Sequence, residues 1–153
     1  PNQKYYTIQE IWTGKEFLRD AILERRRVKY LEFQEEWAGL RTKSSDGKVF
    51  YAQLTRNFDV KKYDVSGRIR IFIDGEVRGN VNIVMHFLDN SGSLIQKTWP
   101  RVGMDLRIPI PENAESFYFS IALFEKSSVL FREVAINAFS TKNINLKEII
   151  TEG

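Results

Sequence analysis

The chain has no cysteine. Disulfide scaffolding, thiolate zinc sites and a cysteine nucleophile are therefore excluded. Histidine occurs once, at position 86, so no multi-histidine metal centre can be assembled. Excess charge of one sign is also scarce, with 23 basic against 20 acidic residues and a formal balance of +3. That surplus lies before residue 63, where 13 basic residues face 9 acidic ones. It is too small for a nucleic-acid footprint. No apolar run approaches the roughly 20 residues that a membrane-spanning helix needs. There is no P-loop, no G-x-S-x-G and no dinucleotide fingerprint. The start at Pro1, among polar residues and without a signal-peptide pattern, is the start expected of a domain cut from a larger or processed protein.

What is present is aromatic and apolar. Hydrophobic residues make up 42% of the 153 and include 11 Phe, 6 Tyr and 3 Trp, enough for one domain with a sizeable core. In "TGKEFLRDAILERRR", Phe17, Leu18, Ala21 and Ile22 fall at helical spacing, and Thr13 stands three residues before Glu16. This predicts a helix over 14–26 that opens with a capping box. "VKYLEFQEEW" fits a continued helix or a strand with Leu31, Phe33 and Trp37 available for burial; the change of period after the arginines favours the strand. "KSSDGK" reads as a turn and "VFYAQLTRNF" as the strand after it.

From Val65 onward the pattern is β. "SGRIRIFIDGEV" alternates Ile69, Ile71 and Ile73 against Arg68, Arg70 and Phe72, and is expected to break at Asp74-Gly75. "GNVNIVMHFLD" sets Val81, Ile83, Met85 and Phe87 on one face, with Asn82, Val84, His86 and Leu88 on the other. "DNSGS" is a hairpin turn and "LIQKTW" its return strand. "MDLRIPI" stops at Pro109 and Pro111, which cannot donate to a ladder and belong at a strand end or edge. "SFYFSIALF" is apolar on both sides, as a central strand should be, and "VLFREVAINAF" is the last main strand. Short strands separated by turn signals predict a mainly β domain, a two-sheet antiparallel β-sandwich or a barrel, with an N-terminal helix. The expected division is 1–27 as a helical segment packed on the sandwich, 28–140 as the sandwich, and 141–153 as a tail or linker.

Four phrases, "FDV…YDVSGRIRIFI", "VMHFLDNSGSLI", "RIPIPENAESFYFSIALF" and "VLFREVAI", carry a resemblance. The segment from Phe58 to Phe139 resembles the jelly-roll carbohydrate-binding modules attached to bacterial carbohydrate-active enzymes. Gly92, Pro111, Ala114, Phe131, Val134 and Ile136 stand where that pattern wants them. The resemblance implies a two-sheet antiparallel β-sandwich of jelly-roll type that binds sugar as an accessory domain. The N-terminal region departs from it, and no acidic cluster resembles the structural calcium site common in those modules.

Candidate site residues follow from strand alternation. His86 shares a face with Asn82 and Val84, and is expected to meet Arg70 and Phe72 from the neighbouring run and Tyr118 and Ser120 from the central strand. Planar donors, acceptors and aromatic surface of this kind suit sugar hydroxyls and C–H faces. The plainer reading of a lone histidine in a half-apolar strand is a hydrogen-bonded packing residue. Trp99, at a strand end beside Pro100 and Arg101, reads as a stacking platform or as rim packing. Arg25, Arg26, Arg27 and Lys29 form the one basic run; with Glu24, Glu32, Glu35 and Glu36 close by, a solvated face is favoured over an anion site. Glu35 and Glu36 are adjacent and form no facing pair for glycoside hydrolysis. The expected function is therefore a non-catalytic glycan-binding accessory module of a larger bacterial carbohydrate-active or surface-polysaccharide enzyme. Its partner would be an oligo- or polysaccharide, its ligand-binding residues Arg70, Asn82, His86, Trp99, Arg107 and Tyr118, and no cofactor is called for. The alternative is a module that docks another domain of the parent protein or a second copy, through an apolar patch of Tyr5, Tyr6, Ile8 and Trp12.

Overall fold

A computed structural model describes residues 8–43 and 48–138. The chain runs β1 (Glu10–Thr13), α1 (Gly14–Leu18), β2 (Ala21–Ile22), β3 (Val28–Glu32), β4 (Ala38–Thr42), β5 (Phe50–Leu54), β6 (Phe58–Asp59) and α2 (Val60–Tyr63). It continues through β7 (Arg68–Arg78), β8 (Val81–Leu88), β9 (Leu94–Thr98), β10 (Asp105–Pro109), β11 (Ser116–Leu123) and β12 (Ser128–Ile136). All strand pairs are antiparallel. Sheet A has the order β10-β7-β12-β4-β3, with β1 also on β12; sheet B has the order β2-β5-β11-β8-β9, with β6 also on β11. The result is the two-sheet antiparallel β-sandwich that the alternation implied.

The inward period of each strand forms the interior. Ile69, Ile71 and Ile73 of β7 and Val129, Phe131, Val134 and Ile136 of β12 face Ile83, Met85 and Phe87 of β8 and Phe117, Phe119, Ile121 and Leu123 of β11. Phe17 closes one end of this interior. Its ring lies 5.7 Å from Phe119 of sheet B and 5.2 Å from Phe131 of sheet A, so α1 acts as a plug between the sheets.

Three expectations are corrected. The capping box is present, with Thr13 accepting from the Glu16 amide and Glu16 from the Thr13 amide, but the helix ends at Leu18 instead of 26. Arg56 ends it by donating to the Glu16 and Phe17 carbonyls at 3.1 and 2.6 Å and to Asp20 at 3.1 Å. The chain then turns, and Ala21–Ile22 pairs with Leu54 and Gln53 as an edge strand. The segment before residue 28 thus gives each sheet a strand, β1 and β2. Next, β7 does not break at Asp74-Gly75. Gly75 is regular strand whose absent side chain leaves room for the Leu130 carbonyl, 2.0 Å from where a Cβ would stand, beside the irregularity between Phe131 and Glu133 of β12. Third, β7 and β8 are consecutive but belong to different sheets.

Pro109 is the last residue of the edge strand β10, as its missing donor requires. The turn at 89–93 is built on Asp89, whose carboxylate accepts from the Ser91 and Ser93 amides at 2.9 Å. Its carboxyl is held below the ordinary range, chiefly by the Ser91 hydroxyl. Residues 44–47 of the "KSSDGK" turn, the tail from 139, and Tyr5 and Tyr6 lie outside the described residues. No helix among the described residues is long and apolar enough to cross a membrane.

Candidate functional site

Sheet B turns one period of β5, β11, β8 and β9 outward. Register fixes which residues meet there. Tyr118 stands opposite His86, and His86 opposite Lys97 of β9. The Tyr118 and His86 rings are parallel to within 3°, with centroids 4.3 Å apart. His86 Nε2 shares a hydrogen bond of 2.8 Å with the hydroxyl of Ser120, which is buried. Burial lowers the imidazole pKa below its ordinary 6.5, and the charge of Lys97 pushes the same way. The ring is therefore neutral near pH 7, with one nitrogen tied to Ser120.

The next rows extend the face. Ser120 lies between Gln53 of β5 and Val84 of β8, and Ala122 between Tyr51 and Asn82. The small side chains of Ser120 and Ala122 keep the middle of the face low, with Tyr51 on one side at 62% exposure. Trp99, one residue past β9 and 56% exposed, lines a groove of about 480 Å³ that runs between the sheets, from Val81, Asn82 and Ile83 of β8 to Gly75, Glu76 and Val77 of β7. The outer face thus carries the exposed Tyr51 ring, a stacked pair with polar edges, and amide groups at Asn82 and Gln53, and the Trp99 groove opens beside its Asn82 end.

The structure sets Asn82, His86 and Tyr118, three of the six residues expected to bind ligand, on one face, with Trp99 beside Asn82 in the groove at its margin. It does not bring Arg70 and Arg107 to them. These two face each other across β7 and β10 in sheet A, as does Phe72, which pairs with Asp105. Arg70 forks onto Asp105 at 2.9 and 2.6 Å, and that hydrogen bonding holds the Asp105 carboxyl below its ordinary range. With Arg68, Gln9 and Asn137 the two arginines line a separate cavity of about 590 Å³. Sequence reasoning missed Tyr51 and Gln53. Their signal was the alternation of β5, with Phe50, Ala52 and Leu54 inward, but only the pairing of β5 with β11 places them beside His86. Trp12 and Trp37 pack on the sandwich: Trp12 lies 5.5 Å from Phe58, and the Arg132 guanidinium 5.2 Å from the Trp37 ring. Among the described residues no three His, Asp or Glu side chains gather as metal ligands.

No family model matches the sequence, and no curated protein matches it. Solved structures do. Accessory secretory protein 1, 2 and 3 of Streptococcus pneumoniae superimposes with a TM-score of 0.54 at 12% identity, over 74% of this chain and 87% of that one. The Glycosylation Associate Protein complex of Streptococcus agalactiae gives 0.58 at 9% identity over 86% of this chain, which spans only 26% of that one. A low-affinity xylan-binding module of Roseburia intestinalis gives 0.47 at 10% identity, over 85% of this chain and 95% of that one. At such identities the likeness is one of fold. The class it defines with the geometry above is a two-sheet β-sandwich domain.

Proposed function

We propose that this domain binds glycan on the outer face of sheet B, as an accessory module of a larger bacterial system that builds, modifies or degrades polysaccharide. The observation that carries the reading is the His86–Tyr118 stack, locked to Ser120, with Tyr51 and Asn82 further along the same face and the Trp99 groove beyond Asn82. Stacked on each other, the two rings present their edges: the phenol hydroxyl and the imidazole nitrogen not bonded to Ser120. Held in one geometry, these groups and the Asn82 amide hydrogen-bond sugar hydroxyls with little ordering loss. Tyr51 and Trp99 supply ring faces for the apolar side of a pyranose. A shallow site of this kind binds one chain in the micromolar to millimolar range, about 4 to 8 kcal/mol. Similarity in fold to a glycosylation-associated complex suits such a setting. The test is a glycan array probed with the wild-type domain beside Trp99→Ala and His86→Ala. Loss of signal in either variant is expected; full signal in both would move the ligand off this face.

A second reading has its own observation. Leu94, Ile95 and Trp99 are exposed apolar residues along or just past the open edge strand β9, and both streptococcal structures are of several accessory or glycosylation-associated proteins. An assembly module would use that edge to dock a partner. It predicts a silent array and loss of complex formation in Ile95→Lys.

A further inference from the structure

The edge strands β2 of sheet B and β3 of sheet A do not pair with each other. Between them opens a groove of about 600 Å³, a size in the range of small-molecule sites. Its floor is Leu18 and Val28, both buried, and Leu23 and Tyr30 stand at its sides. Its rim carries five cations, Lys15, Arg19, Arg25, Lys29 and Lys43, against one carboxylate, Glu32. Lys15 leans toward Glu36 at 3.8 Å, and Lys43 donates to the Arg25 carbonyl at 2.9 Å. Among the described residues, no carboxylate lies within ion-pair distance of Arg19, Arg25 or Lys29.

The basic run that read as a solvated face is thus divided. Arg27 pairs with Glu24 at 3.2 Å and lies over the Phe50 ring at 5.1 Å, whereas Arg25 and Lys29 line the groove. Cations gathered without partners repel one another and raise the local potential for an anion. Arginine forks match the oxygens of phosphate, and a multiply charged group answers several cations at once. The buried apolar floor adds a condition that inorganic phosphate does not meet: it rewards a ligand with a carbon body.

We propose that this groove binds a small organic phosphate, its phosphoryl oxygens among Arg19, Arg25 and Lys29 and its carbon part against Leu18, Val28 and Tyr30. The site lies between the sheet edges, apart from the outer face of sheet B, and does not rest on the glycan reading. The probe is phenyl phosphate, titrated calorimetrically into the full chain, with inorganic phosphate and phenol as its two separate halves. Saturable binding of phenyl phosphate is expected, several-fold tighter than inorganic phosphate, with none for phenol. Raising salt to roughly 0.5 M, where the screening length falls to about 4 Å, should weaken it. Arg25→Ala and Lys29→Ala, both at exposed positions, should each weaken it about tenfold with unchanged melting temperature, while Lys62→Ala on α2 should leave it alone. The proposal is overturned by undiminished binding in both groove variants, by inorganic phosphate binding as tightly as phenyl phosphate, or by no saturable binding up to about 10 mM, an affinity of only some 3 kcal/mol.

Discussion

Replacing Tyr118 by alanine should have two linked effects, and a single residue reports one of them cleanly. The Tyr118 ring is half-buried and stacks on His86 at 4.3 Å. Half the burial of such a side chain is worth about 1 kcal/mol, and a stacked aromatic pair adds about 1 kcal/mol beyond its area. The variant should therefore lose about 2 kcal/mol, which for a chain of this size lowers the melting temperature by roughly 4–8 °C. It should also move the His86 pKa. Burial is the larger cause of its depression below 6.5, with Lys97 second, so opening the ring to water should raise it toward the ordinary value. Because His86 is the only histidine, its ring protons can be followed through a pH titration by NMR without assignment. The sign for stability follows. A histidine whose folded pKa lies below its unfolded one binds fewer protons when folded, so stability is flat above about pH 6.5 and falls as pH drops through that value toward the folded pKa. In Tyr118→Ala that fall should be shallower. An unchanged His86 midpoint together with an unchanged melting temperature would refute the reasoning.

Three further substitutions test how the fold is held. Gly14→Ala would place a Cβ 1.9 Å from the Phe131 carbonyl oxygen and 2.7 Å from the Ala38 nitrogen; both are backbone, so α1 must lift off sheet A, costing about 3 kcal/mol or more in a urea titration. Phe119→Ala empties a fully buried position ringed by Phe17, Phe58 and Phe117, at about 3–5 kcal/mol by the same assay. Arg56→Leu removes the guanidinium that donates to the Glu16 and Phe17 carbonyls and to the Asp20 carboxylate, leaving Glu16 the Arg19 amide and Asp20 the Thr55 hydroxyl. It should cost about 2 kcal/mol. Burial pushes the Asp20 carboxyl up, and the Thr55 and Arg56 hydrogen bonds outweigh it, so the Asp20 pKa, read by NMR, should rise in the variant.

The strands from Arg68 to Ile136 were legible because alternation at period two survives wherever one sheet face is core and the other is not. The helix start at Thr13 was legible too, since a capping box is local. Its end was not. The spacing of Phe17, Leu18, Ala21 and Ile22 fits one turn of helix followed by a short strand as well as it fits four turns of helix, and what decides is Arg56, 36 residues from Asp20. Asp74-Gly75 misled for a related reason. An Asp-Gly pair usually marks a turn, but here Asp74 is engaged by Arg132 and Gly75 admits the Leu130 carbonyl. In the site, His86 was rightly set with Asn82, Tyr118 and Ser120, because those positions share one period of two paired strands. Arg70 was set there wrongly: adjacency along the chain suggested that β7 and β8 pair, and the crossover at Gly79-Asn80 sends them to different sheets. Tyr51 was invisible as a site residue because its neighbour in space, Ala122, is 71 positions away.

The central claim is that the outer face of sheet B binds glycan, and the His86 ring sits in the middle of that face. Its ring-proton resonance, followed while a panel of neutral oligosaccharides is added to the isolated domain, tests the claim most directly. The account predicts that at least one oligosaccharide shifts this resonance saturably at micromolar to millimolar concentration, with Tyr51→Ala or Trp99→Ala weakening the response about tenfold, or some 1.4 kcal/mol. A resonance that stays in place across a broad panel, from a sample that melts cooperatively, would contradict it.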